Sequence, residues 1–230
     1  MNQINRISLI CALSLCLGGC QKQTKADKEL QANRFLEQAT LAAQEHRYNE
    51  AIQAINKSLA LKESPQVLAL KATWLYRIGN TDASLELFEK ILNSPSLSSS
   101  LRADTKNNYA CVLNQHNEKK KAEQLWQELT KDMDYLTPEV AYFNLGLLAI
   151  SQKNFMKAID KFNHAITLTP DYVDAYYYLA IAYFYTRDFE HAHESLERVL
   201  SLANQHKAAQ ALLKKVNEAL EQELIEDEED

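Results

Sequence analysis

Residues 139–206 carry one pattern twice. Tyr142, Leu145, Gly146, Phe155, Ala158, Phe162 and Ala165 return 34 positions later as Tyr176, Leu179, Ala180, Phe189, Ala192, Leu196 and Val199. Within each copy the apolar positions stand three or four apart, which lines them up on one face of a helix. Polar breaks at Gln152–Asn154 and Thr186–Asp188 divide each copy into two helical runs. Weaker copies begin at Ala32, Pro65 and Ala103, giving units over 32–64, 65–98, 103–136, 139–172 and 173–206. Position eight of each unit is Ala39, Ala72, Ala110, Gly146 or Ala180, and position twenty is Ala51, Ser84, Ala122, Ala158 or Ala192. Small side chains at both positions let two helices approach closely. The large residue at position twenty-four (Ile55, Phe88, Trp126, Phe162, Leu196) fills the space beside them.

A helix–turn–helix unit of this length resembles the tetratricopeptide repeat. The resemblance implies an all-α, right-handed α-solenoid of about five helix hairpins, whose usual task is to hold another protein. The third unit is the most divergent, with Lys106 and Lys119 where the other copies are mostly apolar. The turn-rich run 93–100 widens the joint before it. After the array, residues 207–224 predict an amphipathic capping helix with Ala209, Leu212, Leu213, Val216 and Leu220 on one face. The acidic tail 225–230 is expected to be unstructured.

The N-terminus reads as an address. Arg6 precedes an apolar run, Ile7–Leu17, that is too short to span a bilayer, for which a helix needs about 20 residues. The run ends at Leu17-Gly18-Gly19-Cys20, which resembles a bacterial lipobox. That resemblance implies a signal peptide over 1–19, lipidation of Cys20, and a tether over 20–31. With Gln21 after the cysteine it also implies the outer membrane, facing the periplasm. Cys11 and Cys16 would leave with the signal, so Cys111 would be the one free thiol and stability would rest on packing.

Charge adds little to this picture. The net charge is −6, seven of the last ten residues are acidic, and residues 21–220 balance 24 acids against 24 bases. No basic face suits a phosphate backbone, which argues against nucleic acid as a partner. The six histidines have no metal-ligand spacing, and there is no glycine-rich phosphate loop and no nucleophile–base constellation. These absences predict no metal, no cofactor, no small-molecule substrate and no enzymatic activity. A hydrolase is the alternative from a different class.

In the tetratricopeptide family, positions two, five, nine, twelve and thirteen of the first helix line the concave surface. The resemblance places Tyr76, Arg77, Asn107, Cys111, Asn114 and Gln115 there in the second and third units. In the fourth and fifth it places Val140, Phe143, Leu147, Ile150, Tyr177, Ile181, Phe184 and Tyr185. The second set is apolar and aromatic, as a groove for an amphipathic helix or extended segment of a partner requires. The alternative is core, since an aromatic stripe at helical spacing usually packs inside; Tyr176, Leu179 and Tyr183 read so, and the eight lie on the neighbouring face. The lysine–asparagine clamp of chaperone-binding members is absent, since the corresponding residues are Asn107, Cys111, Phe143 and Leu147. Asn107-Asn108-Tyr109-Ala110 followed by Phe143-Asn144-Leu145-Gly146-Leu147 resembles the type IV pilus pilotins, lipoproteins that assist secretin assembly. A barrel-assembly lipoprotein and an adaptor for cell-wall enzymes are the alternatives.

Overall fold

The computed structural model describes residues 24–95 and 97–229. The signal segment 1–19 and Cys20 lie outside them. Eleven helices and no strand occur among the described residues. They are α1 (Lys25–Gln44), α2 (Tyr48–Leu61), α3 (Pro65–Arg77), α4 (Thr81–Leu92), α5 (Ser99–Gln115), α6 (Lys119–Leu129), α7 (Pro138–Ser151), α8 (Phe155–Leu168), α9 (Val173–Tyr185), α10 (Phe189–Leu202) and α11 (Lys207–Glu229). Successive helices pack on each other throughout, so the chain is five hairpins in a row followed by α11.

All ten small positions are buried, and the large residues at position twenty-four are almost fully so. The first helices of neighbouring hairpins also touch: α3 with α5, α5 with α7, α7 with α9. No two second helices come as close, so the array curves with the first helices on its inner side.

The hairpin turns share one backbone solution. Position fifteen of every unit has a left-handed conformation: His46 (φ 60°), Gly79 (82°), Asn117 (68°), Lys153 (59°) and Arg187 (62°). The next amide reaches back to close the preceding helix. Arg47 donates to Ala42 O at 2.8 Å, Asn80 to Leu75 O at 2.9 Å, Glu118 to Leu113 O at 2.8 Å, Asn154 to Ala149 O at 2.9 Å and Asp188 to Tyr183 O at 3.0 Å. This Schellman closure satisfies carbonyls that a helix end leaves open.

Three boundaries differ from the sequence expectation. Helix already begins at Lys25, inside the expected tether, because Thr24 and Asp27 form a reciprocal capping box that nucleates it. The joint before the third unit is partly helical: Ser98 caps α5 at Ser99, Leu97 is buried, and Arg102 donates to the carbonyls of Leu92 and Ser94. Helix α11 continues through Glu229 across the stretch expected to be unstructured. Extending a formed helix costs little, and glutamate is a good helix former.

Candidate functional site

Four of the eight predicted groove residues meet in one cleft. Tyr177, Ile181, Phe184 and Tyr185 form its α9 wall, and Ala208, Ala211, Leu212 and Lys215 of α11 form the other, around about 370 Å³. The cleft exists because α11 presents small side chains opposite large ones. Tyr185 is 61% exposed yet held in place, stacked on Phe155 at 4.8 Å with the rings 8° apart. Phe184 packs against Phe189 at 5.6 Å. Tyr177 lies between Tyr178, at 5.5 Å, and His206, at 4.9 Å. The α9 wall is thus preorganised by ring packing rather than free to collapse.

The other four residues lie elsewhere. Phe143, Leu147 and Ile150 are half-buried and pack on Ala149, Ala158, Phe162, Leu179 and Ala182, at the joint between the fourth and fifth hairpins. Phe143 contacts the rings of Phe162, Tyr172 and Tyr178 at 5.8, 5.0 and 5.7 Å. Partial burial pushes the Tyr172 phenol up to about 12. Val140 is half-buried in the first turn of α7.

The α11 wall was not read from the sequence, although a signal for it was there. The 34-residue spacing runs on past 206, so Ala209 and Val216 repeat Ala175 and Ala182, and all four are buried. Helix α11 is therefore the first helix of a sixth unit. Lys214 stands at its position eight, where each of the five hairpins has a small buried residue against its own second helix.

Upstream, the inner side is polar and cross-linked. Asn107 Oδ1 accepts from Trp126 Nε1 and from Asn144 Nδ2, each at 3.1 Å, joining α5, α6 and α7. Asn144 Nδ2 also donates to Cys111 Sγ at 3.9 Å. Burial pushes the Cys111 thiol up to about 11, so it is protonated and unreactive at neutral pH. Thr73, Tyr76, Arg77, Asn108, Cys111, Val112 and Gln115 line a smaller cleft of about 240 Å³. No group of three or more His, Cys, Asp or Glu among the described residues could hold a metal ion. No described helix is long and apolar enough to cross a membrane.

Residues 149–216 match the tetratricopeptide repeat family. The fold is a tetratricopeptide repeat array. Comparison with curated protein sequences finds no match. Solved structures share the fold along most of their length. PilF of Pseudomonas aeruginosa is 18% identical, with 84% of this chain and 86% of that one covered at a TM-score of 0.71. PilW, described as a widely conserved type IV pilus biogenesis factor, is 20% identical over 82% and 86%, at 0.70. YrrB, described as a tetratricopeptide protein with an unusual peptide-binding site, is 19% identical over 80% and 92%, at 0.55. At these identities the likeness establishes the tetratricopeptide array as the architecture.

Proposed function

We propose that this chain is a non-catalytic, lipid-anchored scaffold of the bacterial envelope, facing the periplasm from the outer membrane. It holds a protein segment in the α9–α11 cleft and assists assembly of a type IV pilus secretin complex. The cleft carries the reading: three aromatic side chains held by ring packing, together with Ile181, face Ala208, Ala211, Leu212 and Lys215 across an unfilled space on the inner side of the array. Such a surface buries an apolar anchor of a partner helix or extended segment without first having to order itself. The pilus assignment draws on the fold shared with PilF and PilW, and on Asn107 and Asn144. These two residues of the pilotin-like motifs bond each other across the joint between units three and four. The anchor rests on Leu17-Gly18-Gly19-Cys20.

Filling the cleft tests this. Ala211 is exposed, so Ala211→Trp occupies the space without entering the core. Proteins retained by membrane-extracted wild type and by A211W are compared by mass spectrometry. A secretin or pilus subunit should be retained by wild type and lost at least about tenfold in A211W, with Tm held within about 2 °C. Undiminished capture by a folded A211W removes the cleft from the function. Retention of barrel-insertion components or peptidoglycan hydrolases in place of pilus proteins removes the pilus assignment. A Cys20→Ala variant that stays membrane-bound removes the anchor.

A further inference from the structure

The α11 wall is tied down by a histidine whose protonation state the geometry dictates. His206 directly precedes α11, and the backbone N–H of Ala209 donates to its Nδ1 at 3.0 Å. An amide can only donate, so Nδ1 must carry a lone pair and the ring must be neutral, with its proton on Nε2. The same ring lies 4.9 Å from that of Tyr177, on the opposite wall. His206 thus caps one wall of the cleft and touches the other.

We infer that His206 is a proton-operated latch on the cleft: neutral, it holds the first turn of α11 against α9, and protonated, it releases that turn. This rests on the reading of the cleft as the partner site. A proton on Nδ1 turns the acceptor into a donor facing another donor, so the cap is lost. It also places a positive charge at a helix N-terminus, where the dipole is itself positive. Both effects act in one direction. Ala208 sits in the released turn and Ala211 in the one after it, so the far wall of the cleft loosens at its N-terminal end while Leu212 and Lys215 stay in the turns beyond.

Few charges surround the latch. From α9 the Tyr177 phenol faces the ring, with exposed Asp174 one turn earlier. The connection 203–205 (Ala-Asn-Gln) has no titratable side chain, and on α11 Lys207 follows directly. The latch is closed while the ring is neutral, at the alkaline end, and opens as the ring takes up a proton on acidification.

The test is an NMR titration of the protein from pH 8 to pH 5, beside His206→Asn. Asparagine keeps an N-cap acceptor that cannot be protonated. In the wild type, the Cα shifts of residues 207–211 should move toward coil values with the same midpoint as the His206 ring protons. In H206N they should stay flat. Thermal unfolding gives a second readout: the wild type should lose about 2–4 °C more than H206N between pH 8 and pH 5. The comparison with H206N removes the contribution of His191, whose own titration is raised by its hydrogen bond and charge pairing with Asp188. A His206 ring that titrates while residues 207–211 stay still overturns the latch, as does an equal Tm loss in both proteins. Failure of the cleft reading looks different: A211W retains partner at pH 8 while the shift titration proceeds as described.

Discussion

Gly146 shows how one missing methyl sets a helix spacing. A Cβ on Gly146 would lie 2.5, 2.7 and 2.8 Å from three atoms of the Phe162 ring, which is fully buried and cannot swing away. In the second hairpin Ala72 sits at the same position beside Phe88, so glycine is not a general demand of the unit. In the fourth hairpin the ring rests directly on the α7 backbone. Gly146→Ala should therefore destabilise by about 1–3 kcal/mol through overpacking, seen as a lower midpoint in urea. Adding Phe162→Leu, the pairing used by Ala180 and Leu196, should recover part of the loss as a favourable coupling. Strict additivity of the two changes would place the strain elsewhere. The sequence places the two residues at the small and large positions of the unit. Their unusual closeness was not legible there, because periodicity reports which face a residue occupies and not how far apart the faces stand.

At the scale of the hairpin, the common feature is the left-handed residue at position fifteen. Glycine occupies it once and Asn117, whose residue type tolerates the conformation, once; His46, Lys153 and Arg187 adopt it at a cost of about 1–2 kcal/mol each. The Schellman hydrogen bonds and the packing of both helices hold them there. Nothing lies within 4 Å of a Cβ built on Gly79, so substitution at this site probes the backbone alone. Gly79→Val should lower Tm by several degrees, whereas Gly79→Asn, which tolerates this conformation, should sit close to wild type. Equal melting of the two variants would show that the turn relaxes to another conformation. The polar breaks Gln152–Asn154 and Thr186–Asp188 mark the turns of the fourth and fifth hairpins in the sequence. A glycine rule applied alone would have found only one of the five.

Across the whole molecule, stability passes from neighbour to neighbour. The apolar face of the fifth hairpin, with Ala180, Leu196 and Val199, is covered by Ala209 and Val216 and flanked by Leu212, Leu213 and Leu220 of α11. In a repeat array each unit depends mainly on those beside it. A chain ending at residue 206 should lose amide protection in α9 and α10 by tenfold or more, while α1–α6 keep theirs. Uniform loss along the array would mean that it unfolds as a single cooperative unit. The same deletion removes one wall of the cleft, so the structural cap and the proposed site are the same element.

The repeating helical pattern, the small pairs and the polar breaks by themselves determined the hairpins and their order. Each of these follows from local periodicity and from which residues fit at a close helix crossing. Only the tertiary structure decided which aromatic residues face solvent. Phe143 and Tyr177 hold the same position in consecutive units, yet Phe143 packs into the joint with the next hairpin and Tyr177 lines an open cleft. The difference lies in the next unit along: Tyr172, just before α9, and Tyr178 of α9 bring two rings against Phe143, whereas the same positions one unit on are His206, whose ring lies against Tyr177, and the ringless Leu212, with Ala208 and Ala211 beside it. Whether a side chain is core or surface depends on the size of a partner one unit away, and no pattern within its own helix carries that information.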